Sequence, residues 1–461
     1  GKTRSLIRSD FNDPNLFWQW HYINNADQAI ATTSCVGAAV NVAEAWKLTG
    51  GDPRIIVAII DEGVKYTHPD LAANMWTNPN PSPEYNNQDI HGWNFVDDGP
   101  ITWDQFTVGA SGKKDGDSGH GTHVAGTVAA VNNNGIGVGG VAGGTGHNDG
   151  VRLMSCQIFS GKNQSTDYVV SRAIKYAADH GASILQCSYG YQGADITSDR
   201  VYERTSPLEY EAISYFISQN NCPALEGGLA IFAAGNDASN ENCYPAADPN
   251  VVSVASTGCM GLPSSFTNYG KWVSMSAPGG DLSRDGSYGG IYSTSVAADG
   301  NSGYESMQGT SMACPHVSGA CALAVSYYYG TQKRKGLTAE MLRQALLSST
   351  QSTDSFCAGD YAGYKGMIGV GALDTYKLLL TIAKIDGIPA QTIAAGESAT
   401  LDLGSYFLAT NVLTYTIADS SIVEVSLSGG TMRIKGLRKG ETTVIVSDGG
   451  AIRKPIGVTV R

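Results

Sequence analysis

Residues 54–61 read Arg-Ile-Ile-Val-Ala-Ile-Ile-Asp, and this stretch decides the fold. A continuous apolar run of this length is typical of a strand buried on both faces, as in a parallel sheet. Further strand-like runs lie at residues 151–159, 184–188, 229–234 and 251–256. Helices are predicted at residues 36–48, 120–131, 165–179 and 207–219. The alternation predicts an α/β domain, a parallel sheet with helices on both faces.

The composition changes after residue 382. Residues 388–461 contain neither Cys nor Trp and show no helical period. Short alternating runs separated by glycine-containing turns predict strands at residues 399–403, 413–417, 423–427, 432–434, 442–446 and 456–460. We therefore expect a lead-in at residues 1–50, the α/β domain at 51–382 and a small all-β sandwich at 388–461, joined by a linker at 386–389.

Bulk properties exclude several classes of protein. The net charge of −12 argues against nucleic-acid binding, because no basic stripe offsets it. No apolar run reaches the roughly 18 residues that a membrane span needs. The nine cysteines include no CxxC pair, so a structural zinc site is not expected. We assign Cys156 and Cys187 to the core, and Cys222 and Cys243 are the best candidates for a disulfide.

The chemistry begins at residues 309–316, Gly-Thr-Ser-Met-Ala-Cys-Pro-His, where a serine opens a predicted helix. A serine hydroxyl becomes a nucleophile only beside a base that a third group orients. His120 and Asp61 are the candidates for these two roles. Each residue alone is also explained as a cap or turn residue, but the three in the order Asp, His, Ser favour a catalytic triad.

The motifs around these residues resemble those of the subtilisin-like serine peptidases. The quoted segments are Ile-Ile-Asp-Glu-Gly-Val at 59–64, Thr-His-Pro-Asp-Leu at 67–71, His-Gly-Thr-His-Val-Ala-Gly at 120–126 and Gly-Thr-Ser-Met-Ala at 309–313. The chain order Asp, His, Ser is that of subtilisin. The resemblance covers residues 13–382 and implies a subtilisin-like fold. It makes Ser311 the nucleophile, His120 the base, Asp61 its orienting partner and His123 a structural residue.

The resemblance also implies the surroundings of the nucleophile. Asn236, in Ala-Ala-Gly-Asn at residues 233–236, would donate to the oxyanion together with the backbone N–H of Ser311. The substrate would contact Ser188, Tyr189, Gly190, Ala234, Gly235 and Cys243. Asp237 lies near this set, and an acceptance of basic side chains is a further hypothesis.

Calcium is the cofactor that the resemblance implies. Its ligands would be the side chains of Asp13, Asp70 and Asn134 and the carbonyls of Val131, Ile136 and Val138. The alternative for this Asn- and Gly-rich segment is a solvated turn. Zinc at His120 and His123 is disfavoured, because no acidic ligand accompanies them at helical spacing.

The sequence therefore predicts a serine endopeptidase that cuts protein or peptide substrates and is secreted, periplasmic or cell-surface associated. No signal peptide or long prosegment is visible, so we expect a mature or truncated chain. Two alternatives stay open, a non-catalytic binding protein with the same fold and a peptide ligase or cyclase that uses the same acyl-enzyme. Residues 388–461 resemble bacterial immunoglobulin-like modules, for which a cell-surface partner is one possible role.

Overall fold

The computed structural model describes residues 11–24, 37–163, 165–191, 196–385, 388–407, 410–449 and 453–461. Parts of the predicted lead-in and linker, at residues 1–10, 25–36 and 386–387, lie outside this set. The chain divides into two compact units, Gly1–Leu379 and Leu380–Arg461, and each is described by itself.

A seven-stranded sheet of parallel neighbours forms the centre of the first unit, in the order β2-β5-β1-β6-β7-β8-β9. Its strands are β1 (Ile56–Glu62), β2 (Gly92–Asn94), β5 (Arg152–Phe159), β6 (Ile184–Cys187), β7 (Leu229–Ala233), β8 (Val252–Thr257) and β9 (Met275–Pro278). Two antiparallel hairpins lie outside this sheet, β3 (Phe106–Val108) with β4 (Lys114–Gly116), and β10 (Ile291–Val296) with β11 (Ser302–Met307).

The helices of the first unit follow the strands along the chain. They are α1 (Val42–Ala45), α2 (His120–Ala129), α3 (Asp167–Asp179), α4 (Asp199–Thr205), α5 (Pro207–Ser218), α6 (Leu282–Asp285), α7 (Thr310–Val325), α8 (Ala339–Ser348) and α9 (Thr375–Ala383). Helix α9 crosses the division between the two units. A π-helical segment, Ser326–Thr331, continues α7. Short 3₁₀ turns occur at Pro14–Trp18, Ala72–Asn74, Pro83–Tyr85, Ser287–Gly289 and Gly359–Tyr364.

Helices cover both faces of the sheet, as strand β6 demonstrates. Leu185 and Cys187 share one apolar core with Val170 and Ile174 of helix α3. Successive side chains of a strand point to opposite faces, so the side chain of Gln186 points to the other face. There it accepts a hydrogen bond from the thiol of Cys314 in helix α7, at 3.2 Å. Helices α3 and α7 therefore pack on opposite faces, and the predicted α/β architecture is confirmed.

The predicted strands agree with the structure, whereas the predicted disulfide does not. Every strand predicted in the first unit lies within two residues of its predicted bounds, whereas β2, β9 and the hairpins β3–β4 and β10–β11 were not predicted. Cys156 and Cys187 are buried, as expected. The predicted disulfide is wrong, because Cys222 and Cys243 are both free and buried thiols.

The second unit contains seven strands in two sheets. One sheet has the order β12-β18-β17-β14 and the other β13-β16-β15. The bounds are β12 (Gln391–Ile393), β13 (Ser398–Asp402), β14 (Thr414–Ile417), β15 (Val423–Ser428), β16 (Thr431–Gly436), β17 (Gly440–Ser447) and β18 (Arg453–Val460), with a 3₁₀ turn at Leu403–Ser405. Alternate side chains of β16 and β18 are buried, which explains the period of two that predicted these strands.

Candidate active site

Asp61 and His120 meet at the carboxyl end of the central strand β1. The ring Nδ1 of His120 lies 2.7 Å from Oδ1 of Asp61. A carboxylate accepts, so this Nδ1 carries the proton and Nε2 is left to accept one. The Asp61 side chain is only 2% exposed, whereas that of His120 keeps 26%. Asp61 is therefore the inner member of the pair, and the ring of His120 keeps an edge that a reacting molecule can reach.

The charge of this pair favours a protonated imidazole. Burial opposes the charged ring, but the negative charge of Asp61 and its hydrogen bond outweigh burial and, with Glu62 adding, raise the pKa of His120 to about 9. The carboxylate of Glu62 also holds the start of helix α2, since it accepts from the backbone N–H of His120 at 2.8 Å. It accepts in addition from the Ser118 hydroxyl at 3.0 Å. Gly119 offers no side chain as an N-cap, so Glu62 takes that role from a neighbouring strand.

His123 lies one turn further along helix α2 and is fully buried. Its Nε2 lies 3.0 Å from each of two backbone carbonyls, those of Ile291 and Glu305. Burial lowers its pKa to about 4. Among the described residues no group of three His, Cys, Asp or Glu side chains could hold a metal ion. His123 thus ties helix α2 to the hairpin β10–β11.

Ser311 lies in the first turn of helix α7. Its hydroxyl donates to the carbonyl of Ser188 at 3.3 Å, and the described residues include no hydrogen bond between Ser311 and His120. Pro315 has no N–H, so the carbonyl of Ser311 lacks the usual donor four residues later. The hydroxyl of Ser188 donates to that carbonyl instead, at 2.8 Å. Pro315 thereby lets the end of strand β6 hold the backbone of the predicted nucleophile.

Asn236 is oriented by Thr310, the residue before the serine. Its side-chain oxygen accepts from the Thr310 backbone N–H at 2.8 Å and from the Thr310 hydroxyl at 2.9 Å. With the oxygen engaged, the amide NH₂ is left for other acceptors. The N–H of Ser311 is also available, because a first-turn N–H has no intrahelical acceptor. Two donors, one from a side chain and one from the backbone, therefore accompany the serine hydroxyl.

A pocket of about 200 Å³ opens beside Ser311 and is called the nucleophile pocket here. Its lining includes the predicted contacts Ser188, Tyr189, Gly190, Gly235 and Cys243, together with Asn236 and Asp237. Ala234 was expected to contact substrate, but it is fully buried and its neighbour Ala233 lines the pocket. The difference arises from strand β7, where successive side chains alternate in direction. The thiol of Cys243 donates to the carbonyl of Tyr191 at 3.0 Å.

The residues predicted to bind calcium come together on the side of helix α2. Asp13 accepts from the backbone N–H of Asn133 at 2.8 Å, and Asp70 accepts from the Asn134 side chain at 2.7 Å and the Val138 N–H at 2.8 Å. Burial raises the pKa of each of the two carboxyls to about 6, and the charge of Asp13 adds to the rise at Asp70.

The same segment offers neutral oxygen atoms. Within the described part of the chain, no hydrogen bond ends on the carbonyl oxygens of Val131, Ile136 or Val138. Two desolvated carboxylates beside free carbonyls form a donor set of oxygen atoms, as a calcium ion prefers. The Asn134 amide currently turns its nitrogen toward Asp70, so its oxygen would face an ion only after a rotation of that amide. With that rotation, the residues fit the predicted group.

Two buried polar groups of this region were not predicted. Gln186 donates to the hydroxyl of Ser188 at 2.7 Å and so continues the contact between β6 and Ser311. Glu209 accepts from the hydroxyls of three tyrosines, two of which line the nucleophile pocket. A polar residue in an apolar strand was a usable signal for Gln186. No local pattern marked Glu209, although it lies in the helix that was predicted at residues 207–219.

A sequence profile described as the Subtilase family matches residues 52–371. The chain belongs to the subtilase family. It is 32% identical over 282 residues to a thermophilic serine proteinase of Bacillus sp. (strain AK1), covering 61% of this chain and 55% of that protein. It is 29% identical over 376 residues to an extracellular protease of Xanthomonas campestris pv. campestris, covering 76% of this chain and 54% of that protein.

The chain thus spans about half the length of these two relatives, 55% and 54%. Among solved structures it is similar to a protease from Pseudoalteromonas arctica PAMC 21717, with a TM-score of 0.60 and 28% identity, covering 81% of this chain and 99% of that one. This likeness supports the subtilisin-like α/β fold around the parallel sheet. A search of the described helices found none that is long and apolar enough to cross a membrane.

Proposed function

We propose that the protein is an exported serine endopeptidase that hydrolyses peptide bonds through an acyl-enzyme. The observation that carries the proposal is the 2.7 Å contact between His120 and Asp61, at the same edge of the sheet as Ser311 and Asn236. Parallel strands bring their carboxyl ends to one edge, so four residues far apart in sequence share one site. The family of the chain adds independent support.

Acylation begins when the substrate enters the nucleophile pocket and the Ser311 hydroxyl turns from the Ser188 carbonyl toward His120. The oxygen of Ser311 attacks the carbonyl carbon of the peptide bond, while its proton passes to Nε2 of His120. Asp61 keeps Nδ1 protonated and stabilises the imidazolium that forms. The Asn236 amide and the Ser311 N–H donate to the oxyanion.

The C–N bond then breaks, and the proton on Nε2 moves to the leaving amine. Deacylation repeats these steps with a water molecule, which gives its proton to His120 and its oxygen to the acyl carbon. The carboxylic acid leaves and Ser311 recovers its proton. The pKa of His120, raised to about 9, makes this residue a base that works best at alkaline pH, because only the neutral ring accepts a proton.

For the cofactor we propose one calcium ion held by Asp13, Asp70, Asn134 and the carbonyls of Val131, Ile136 and Val138. When bound, this ion would neutralise two carboxylates that burial deprives of solvent, and it would fix the loop after helix α2. Its role is structural, because none of these residues lines the nucleophile pocket.

Export is proposed because the Xanthomonas campestris relative is named an extracellular protease. The immunoglobulin-like assignment of residues 388–461 and a cell-surface partner stay predictions. So does the acceptance of basic side chains through Asp237, whose carboxylate also accepts from Asn268 at 3.2 Å. Cleavage of a peptide library tests this last hypothesis, and a preference for acidic residues before the cut would contradict it.

The enzymatic proposal is tested with a fluorophosphonate, which reacts with an activated serine. We expect a single adduct, located by mass spectrometry on the peptide that contains Ser311, and no labelling of Ser311→Ala. Folded wild-type protein that takes no label would overturn the proposal and leave the binding-protein alternative. Product masses from a model peptide separate hydrolysis, which adds one water, from ligation or cyclisation.

A further inference from the structure

We propose that Glu209 is a positioning residue that sets substrate selectivity by fixing the tyrosine wall between two pockets beside Ser311. The inference rests on the proposed function, since selectivity has meaning only for a peptidase. The wall consists of Tyr189 and Tyr191, on either side of Gly190. Both tyrosines line the nucleophile pocket and also a second pocket of about 400 Å³, which Phe159, Thr166 and Val170 help to form.

The Glu209 carboxylate is fully buried and is bonded by three phenol groups. Tyr189 donates to one oxygen at 2.8 Å, while Tyr191 and Tyr202 donate to the other at 3.1 Å each. No lysine or arginine of the described residues forms an ion pair with Glu209. The three hydroxyls are therefore what satisfies this carboxylate, and it is their shared acceptor.

The helix that carries Glu209 is held in place at the same point. Asp167, at the start of helix α3, accepts from the backbone N–H of Glu209 at 2.7 Å and from that of Leu208 at 3.2 Å. These bonds cap the first turn of α5 and direct the Glu209 side chain inward. The acceptor that the tyrosines share is thus anchored to the fold on the side away from the pockets.

Each wall tyrosine is consequently fixed at both ends. Tyr189 follows strand β6 by two residues, and the backbone N–H of Tyr191 donates to the Tyr244 carbonyl at 2.8 Å. Both hydroxyls are bonded at Glu209. The ring of Tyr189 also packs edge-on against Phe232, with centroids 5.6 Å apart. A ring fixed in this way cannot swing into either pocket, so the size of both pockets is set. Without the acceptor, the buried hydroxyls would have to reach solvent, and the pockets provide that path.

Tyr202 supplies a matched control inside the same cluster. It donates to the same carboxylate but is fully buried and stacks on Tyr244, with ring centroids 5.1 Å apart. It lines neither pocket. Removal of its hydroxyl therefore costs the cluster a hydrogen bond without freeing the wall.

The test compares Glu209→Gln with Tyr202→Phe in the full chain. An amide offers one accepting oxygen in place of two, so at least one wall hydroxyl loses its acceptor and faces an N–H donor instead. The probes are peptide p-nitroanilides that carry Ala, Leu or Phe before the cut, and a second series varies the residues further upstream. Fluorophosphonate titration of Ser311 gives the active fraction, so kcat and KM refer to active enzyme only.

In Glu209→Gln we expect the ratio of kcat/KM between the best and the worst probe to fall about tenfold, mainly through KM. In Tyr202→Phe we expect that ratio to stay as in the wild type, with a lower Tm as the main effect. Unchanged selectivity in fully active Glu209→Gln would overturn the inference. So would an equal loss in Tyr202→Phe, because it would assign the effect to general loosening.

A second variant keeps the inference falsifiable if Glu209→Gln does not fold. Tyr189→Phe combined with Tyr191→Phe retains both rings and removes only the two hydroxyls of the wall. We expect the same loss of selectivity from it, and wild-type selectivity would overturn the inference. Failure of the proposed function is a different result, in which wild-type Ser311 takes no label and no probe is cut.

Discussion

Two pairs of carboxylates in this molecule, each with at least one buried member, differ in what neutralises their charge. Asp61 and Glu62 have a cationic partner in the chain itself, because they raise the pKa of His120 to about 9. Asp13 and Asp70 form no ion pair with another described residue, and burial raises their own pKa values to about 6. The negative charge of the first pair favours the protonated form of His120. The second pair needs an added cation to neutralise its charge. Under the proposed function, the first pair takes part in catalysis and the second stabilises the fold.

The largest expected effect separates the two pairs directly. In Asp61→Asn the ring of His120 loses the acceptor that fixes its tautomer, and we expect kcat to fall about 10⁴-fold. The matched variant Asp70→Asn leaves the triad intact, so kcat per active site stays near the wild-type value while Tm falls. Steady-state kinetics with active-site titration measures both. An equal loss of kcat in the two variants would abolish the distinction.

The proposed active site also depends on hydrogen-bond donors to the oxyanion, which the proposed calcium site at Asp13 and Asp70 does not require. In Asn236→Ala one oxyanion donor is lost, and kcat should fall about 10²- to 10³-fold, the value known for such a donor in subtilisin. KM should change little, because the donation matters in the transition state. Thr310→Val removes only one of two bonds that orient Asn236, so a smaller loss is expected. A large rise in KM at constant kcat would contradict the assignment.

The sequence was sufficient for the parts of this comparison that depend on local motifs. Asp61, His120, Ser311 and Asn236 each sit in a short motif at a strand end or helix start, where a parallel sheet gathers its chemistry. The residues proposed to bind calcium also came from such motifs, and calcium binding stays a prediction. The strands of the second unit other than β12 were predicted from their period of two, and in β16 and β18 alternate side chains are buried.

Contacts between distant segments were beyond the reach of the sequence. The bond from Ser188 to the Ser311 carbonyl depends on Pro315, whose effect shows only when strand and helix are placed together. The helix that carries Glu209 was predicted, but the contacts of this residue with its tyrosines depend on how distant segments are placed together. The Cys222–Cys243 disulfide was predicted from positions flanking a strand, but pairing depends on the three-dimensional separation of the two side chains, which spacing does not fix.

Calcium removal tests the second pair of carboxylates. With free calcium 100-fold above Kd, a single site adds about 2.7 kcal/mol to the free energy of unfolding. A chelator should therefore lower the Tm of the wild type, and calcium should restore it. Asp70→Asn should lose this response, while Asp354→Asn, an exposed acid with a 63% exposed side chain, should keep it. A wild-type melting curve that ignores chelator would leave the Asp13 and Asp70 region as a solvated turn.

The smallest effect concerns the share of Glu62 in the first pair. His120 acts as a base only when it is neutral, so kcat/KM should rise with pH up to a pKa near 9. In Glu62→Gln a negative charge beside the ring is lost, whereas the amide oxygen can still accept from the His120 N–H. The pKa of His120 should fall, and the acid limb of the pH profile should move to lower pH. A shift of under about one unit is expected, since a full unit requires about 1.4 kcal/mol. An acid limb that stays in place or moves to higher pH would show that the charge of Glu62 does not raise the pKa of this ring.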